Sequence, residues 1–181
     1  MLYNLLTLVL DTVAGLFAGV LLLRFWMQIV RVRPPQEVAH FTFVLTDWIV
    51  KPMRRLIPGV AGIDWASLIP AYLIALLLTV IKTALVTQNI SASVLLLALF
   101  SLLEWVIYGW TALLIFEVIF SWINPQAPLA PFVRSLNAPL LRPIRQLLPL
   151  LGGLDLSPMV LFLLLQVASR LLAYLSVMAV S

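Results

Sequence analysis

Residues 51–64 read KPMRRLIPGVAGID, and residues 142–155 read RPIRQLLPLLGGLD. Pro52 and Pro143 stand 91 positions apart. At that offset, without a gap, Arg54 meets Arg145, Leu56 meets Leu147, Pro58 meets Pro149, Gly62 meets Gly153 and Asp64 meets Asp155. Carried backward, the same offset pairs Pro34 with Pro125, Ala39 with Ala130, Phe41 with Phe132, Leu45 with Leu136, Leu22-Leu23 with Leu113-Leu114 and Phe25 with Phe116. An internal duplication constrains the fold before any local pattern does, because each half must be a workable unit. It predicts two repeats, 1–90 and 91–181.

The units are built for a membrane. The chain is 64 % hydrophobic and only 10 % charged, with mean hydropathy +1.14, whereas soluble domains carry about 25 % charged residues. Crossing a bilayer takes about 20 apolar residues, and runs of that length fall at 3–30, 65–86, 94–122 and 157–179. The fold class predicted is therefore all-α: four transmembrane helices as two parallel tandem repeats, each a helix, an amphipathic connection and a second helix. The first run reads as a span rather than a leader, because no basic residue precedes it and no small-residue cleavage site follows. The connections, 31–64 and 123–156, lie on one side. They hold Arg31, Arg33, Lys51, Arg54, Arg55, Arg134, Arg142 and Arg145 against Glu37, Asp47, Asp64 and Asp155. The positive-inside rule makes them cytoplasmic and places both termini outside. An even number of spans per repeat relates the halves by an axis along the membrane normal.

In the first connection Val38, Phe41, Val44, Leu45 and Trp48 recur at helical spacing, with His40, Asp47 and Lys51 on other faces. This predicts an amphipathic helix in the headgroup region or slightly re-entrant. The second copy, interrupted by Pro131 and Pro139, keeps Phe132, Leu136 and Leu140. Pro52 and Pro143 lack an amide hydrogen and should stop or kink the chain, starting a second short turn that carries Arg54, Arg55 and Arg145. Pro58 and Pro149 should end that turn, with Gly62 and Gly153 allowing a reversal into the next span. Asp64 and Asp155 then stand where an N-cap belongs. The alternative is an Arg–Asp contact that binds an ion or partner. In the second copy Ser157-Pro158 offers a competing cap.

Six ionisable residues fall inside spans, where hydrocarbon penalises charge. By helical rise, Arg24 lies about 10 Å and Glu117 about 8 Å from the connection side, close enough in depth to pair. Asp11, Lys82, Glu104 and Arg170 lie about 22–30 Å away, as ion pairs fixing helix register or as part of an ion or proton pathway. Gly15 and Gly19 have the GxxxG spacing of closely packed helices, equally suited to packing within one chain or to homo-oligomerisation. Without cysteine there is no thiolate chemistry, and the lone His40 has no second ligand nearby. No phosphate loop, HExxH or GxSxG is present. The expectation is no enzyme, no cofactor, no metal and no direct nucleic-acid partner, the basic residues serving anionic lipid headgroups instead.

Two copies of P-x-R-x-L-x-P followed by G-x-D and an apolar span resemble the YggT family, also called YlmG-like, of small bacterial and plastid membrane proteins. Pro52, Arg54, Pro58, Gly62 and Asp64, then Pro143, Arg145, Pro149, Gly153 and Asp155, carry the resemblance, which covers essentially the whole chain. Gln146 departs from it where the first copy has Arg55. The resemblance implies a membrane scaffold or assembly factor, its duplicated motif engaging an unidentified membrane or cytoplasmic protein or anionic lipid. It also implies an alternative, an ion or solute transport component of osmotic stress tolerance, for which Pro70 would break the second span near a cavity.

Overall fold

A computed structural model describes residues 2–57, 59, 63–86, 92–148 and 155–179. Pro58, Gly62, Pro149 and Gly153, with the turn endings expected there, lie outside the described residues. The helices are α1 (Leu2–Val30), α2 (Gln36–Leu56), α3 (Trp65–Val86), α4 (Ser93–Ile123), α5 (Ala130–Leu147) and α6 (Ser157–Met178). Moved along by 91 residues, the bounds of α1, α2 and α3 become 93–121, 127–147 and 156–177, within three residues of those of α4, α5 and α6. Among the described residues four helices are long and apolar enough to cross a membrane, at Leu5–Val30, Trp65–Leu85, Ser93–Ile123 and Ser157–Met178. The apolar runs in the sequence mark them to within two residues. At 1.5 Å per residue the 31 residues of α4 extend about 46 Å, so α4 must tilt or project beyond a hydrocarbon core of about 30 Å.

Lipid tails are as apolar as leucine, so close van der Waals packing rather than transfer from water must hold spans together. The core shows this: Ala18 of α1, Ala66, Ala71 and Ala75 of α3 and Ala98 of α4 are buried with Leu21 and Leu102. Half of the GxxxG pair takes part in such an approach. A Cβ on Gly15 would lie 3.5 Å from the indole nitrogen of Trp105, whereas one on Gly19 would meet nothing within 4 Å. Farther along, Trp26 meets Trp110 edge-on at 5.2 Å, so α1 and α4 touch in ascending order, as parallel neighbours do.

The prolines do not stop the helices, and no second short turn starts after Pro52 or Pro143. α2 runs unbroken through Pro52, α5 through Pro139 and Pro143, and α3 through Pro70. Each proline removes one interior hydrogen bond. Pro52, Pro139 and Pro143 lie on exposed faces, where the freed carbonyls are open to other donors, and Pro70 is fully buried in packed surroundings. Arg54, Arg55 and Arg145 therefore occupy the last turns of α2 and α5 rather than a separate turn.

The two connecting helices bury different faces. On α2 the apolar stripe points outward, with Phe41 59 % and Leu45 36 % exposed, while Thr42, Thr46 and Val50 face the bundle. On α5 the equivalent Phe132 and Leu136 are 8 % and 0 % exposed. They pack with Val133 against Met27, Leu23 and Trp26 of α1, and the Trp26 indole donates to the Leu136 carbonyl at 3.0 Å. Among the described residues α2 makes no equivalent contact with α4.

Candidate functional site

Each connecting helix is tied to the spanning helix that follows it by an arginine and an aspartate ten residues apart. In the first repeat the Arg54 guanidinium forks onto Asp64, with Nη2 2.6 Å from Oδ2 and Nε 3.3 Å from Oδ1. The Ser67 hydroxyl donates to the same Oδ2 at 2.7 Å. In the second, Arg145 Nε donates to Asp155 Oδ2 at 2.8 Å, and the Ser157 amide donates to Asp155 Oδ1 at 2.9 Å. The N-cap expectation thus holds in part. Asp155 does take a free amide of the first turn of α6, but Asp64 spends its carboxylate on two side chains, and Ser157 is the first residue of α6 rather than its cap. Charge-assisted bonds of this kind are about twice as strong as neutral ones, and only the first clamp is a fork.

Behind each clamp a polar side chain on the connecting helix meets an ionisable residue on the preceding span. These meetings replace the Arg24–Glu117 pair that depth had suggested. In the first repeat Arg24 Nη1 donates to Thr46 Oγ1 at 2.6 Å and to Asp47 Oδ1 at 2.7 Å, and its guanidinium lies 4.8 Å from the Phe43 ring centre. Lys51 holds the other Asp47 oxygen at 2.8 Å. In the second repeat Asn137 Nδ2 donates to Glu117 Oε2 at 2.8 Å, and Arg145 Nη2 reaches Glu117 Oε1 at 3.2 Å. Thr46 and Asn137 are both fully buried and are separated by the repeat offset of 91. Their recurrence as polar residues at one repeat position is the signal in the sequence that marks them.

Electrostatics follows the geometry. Burial works against charge on Asp64, but Arg54 and Ser67 hold its pKa below the ordinary carboxylate value. Asp155 is likewise held down, against burial, by Ser157 and Arg145. Burial opposes the charge of Arg145 as well, yet Asp155 and then Glu117 raise its pKa. A carboxylate depressed by folding adds stability that is complete above its unfolded pKa of about 3.9 and is lost as pH falls through the lower folded value. Acidification from pH 7 to 3 in detergent should therefore lower the apparent melting temperature. An Arg54→Met, Arg145→Met protein should show a smaller drop, because Ser67 and Ser157 still hold the two carboxylates and Lys51 and Arg24 still hold Asp47, and equal pH slopes for the two proteins would contradict the assignment.

The remaining intramembrane charges lie at the far end of the bundle. Lys82 and Asp11 pair at 2.5 Å, Glu104 accepts the Tyr108 hydroxyl at 2.6 Å, and Arg170 is exposed with no ion-pair partner among the described residues. Asp11, Lys82 and Glu104 line one end of a cavity of about 920 Å³ between α1, α3 and α4. His40 is exposed on α2. Among the described residues no group of three or more His, Cys, Asp or Glu is placed to hold a metal ion.

The family model described as CCB3/YggT matches two stretches of the chain, residues 3–85 and 96–176. The uncharacterised protein YggT of Escherichia coli is 38 % identical over 169 residues, covering 91 % of this chain and 87 % of that protein. An uncharacterised protein of Pseudomonas aeruginosa is also 38 % identical, over 173 residues, 90 % of this chain and 85 % of its own length. One from Vibrio alginolyticus is 32 % identical over 175 residues, covering 93 % and 94 %. No solved structure matches at a significant level.

Proposed function

The chain belongs to the CCB3/YggT family, and from that premise we propose that it is a non-enzymatic scaffold of the bacterial inner membrane whose duplicated cytoplasmic face engages anionic headgroups and partner proteins. The observation that carries this reading is the paired clamp. Arg54 and Arg145 are engaged by Asp64 and Asp155, which fixes the last turns of α2 and α5 at the start of the next spans. Arg55 and Arg142 remain exposed beside them. Two classes of arginine follow, one that builds the surface and one that is presented on it. Guanidinium groups near a membrane surface attract anionic lipid, each by about 1 kcal/mol, and accept carboxylate or phosphate of a partner in fork geometry. The parallel tandem arrangement and the positive-inside rule support placing this surface in the cytoplasm.

The test separates the two classes. Arg55→Gln with Arg142→Gln should leave insertion and melting temperature unchanged, while releasing partners trapped by in-membrane crosslinking and weakening retention of phosphatidylglycerol on the purified protein. Unchanged crosslinks together with unchanged lipid retention would remove the reading.

A second reading, an ion or solute transport component, is favoured by the cavity between α1, α3 and α4 and its charged end. Purified protein in liposomes should then pass K⁺ or protons, at a rate altered by Glu104→Gln. Silent liposomes would count against it.

A further inference from the structure

We propose that the cavity between α1, α3 and α4 binds an amphiphile bearing an organic ammonium group, with Glu104 as its counter-anion. The proposal needs neither the scaffold nor the transport reading, because binding requires only the cavity. Its charged end holds two carboxylates and one amine. Lys82 is committed to Asp11. Glu104, on the spanning helix α4, receives one hydroxyl from Tyr108 and has no cationic side chain as a partner among the described residues. By helical rise Glu104 lies about 3 Å inside the far edge of a core of about 30 Å, and a single neutral hydroxyl leaves its charge there without a counter-ion. A bound cation would relieve it.

The surroundings decide which cation. Hard metal ions take six or more oxygen ligands, and this end of the cavity offers Glu104 together with an Asp11 already paired. Aromatic faces, in contrast, attract a diffuse ammonium charge. Trp105 and Tyr108 line the cavity beside and one turn beyond Glu104, with Trp110 deeper. The shape calls for an apolar body as well. The lining on α1 runs from Asp11 to Trp26, about 22 Å by helical rise, and becomes apolar away from the charged end. A volume of about 920 Å³ falls within the range of about 300–1,000 Å³ usual for small-molecule sites. Two glycines keep the walls bare: a Cβ on Gly19 of α1 or on Gly109 of α4 would meet no atom within 4 Å.

Such a group could belong to the ethanolamine head of a membrane lipid or to a free lipophilic amine, and the test distinguishes them. Tetrapropylammonium is titrated by calorimetry into the purified protein in maltoside micelles, which carry no charge. Saturable binding is expected, weakened at least tenfold by Glu104→Gln. Gly109→Leu fills open space, so the protein should keep its melting temperature while losing binding to the same degree. Displacement of the probe by short-chain phosphatidylethanolamine but not by phosphatidylglycerol identifies the lipid head as the ligand, and displacement by neither identifies a free amine. Failure to saturate, or equal binding by wild type and both variants, overturns the proposal.

Discussion

Replacing Arg145 by alanine should lower the unfolding free energy by about 2 kcal/mol, below the scale of breaking a fully buried ion pair, because the Arg145 side chain is 37 % exposed and solvent screens part of its charge. One guanidinium bridges two acids, Asp155 at 2.8 Å and Glu117 at 3.2 Å, so its loss strands both. They do not contribute equally. The Asp155 side chain is 33 % exposed and keeps the Ser157 amide, so water and the helix start share its charge. Glu117 is 8 % exposed on a membrane-spanning helix and keeps only Asn137. Most of the cost therefore arises at Glu117, and this yields a sharper test than the single substitution. Glu117→Gln in the Arg145→Ala background should recover more than half of the loss, because an amide in that pocket carries no charge to strand. Equilibrium unfolding in mixed micelles measures Arg145→Ala, Glu117→Gln and the double variant. Strictly additive costs would show that the two side chains do not act as a pair.

The sequence specified the spans closely and the packing of the connections poorly, for one physical reason. An apolar run long enough to cross a bilayer has few other fates, so the bounds of α1, α3, α4 and α6 follow from hydropathy alone. The connecting helices lie where either face can be satisfied. The stripe Phe41, Val44, Leu45 and Trp48 signals amphipathicity, but in a membrane protein the apolar side need not be the inside. On α2 that stripe faces outward, and the bundle receives Thr42 and Thr46. Its copy on α5 turns the equivalent stripe inward because α1 offers Met27 and Trp26 as a surface. The partner of Arg24 was hidden for the same reason: Asp47 counts as near only once the inward face of α2 is known. The clamps were half legible. The motif placed an arginine and an aspartate ten residues apart in both halves, and only the continuation of α2 and α5 through their prolines brings each pair within bonding distance.

The second large effect should come from Asp47→Ala, at about 3 kcal/mol, and it should exceed that of removing the arginine it pairs with. Arg24 is 7 % exposed, and its Nε already lacks a partner among the described residues. Without Asp47 its charge is left with one neutral hydroxyl, that of Thr46, and the face of Phe43. A buried cation so poorly compensated costs several kcal/mol even after water penetrates. The opposite deletion strands nothing comparable. In an Arg24→Met protein Asp47, 26 % exposed, keeps Lys51 at 2.8 Å, the Thr46 hydroxyl still donates to the Thr42 carbonyl at 2.6 Å, and the methionine fills the vacated stem with apolar volume. That variant should cost about 1 kcal/mol, the scale of one net hydrogen bond. Lys51→Ala should cost less still, since Lys51 is 70 % exposed and surface pairs contribute little. The asymmetry predicts the double variant: Asp47→Ala with Arg24→Met should be more stable than Asp47→Ala alone. Equal costs for the two single variants would mean that the Arg24 charge reaches water or lipid phosphate by another route, and that the inward face of α2 does not hold it.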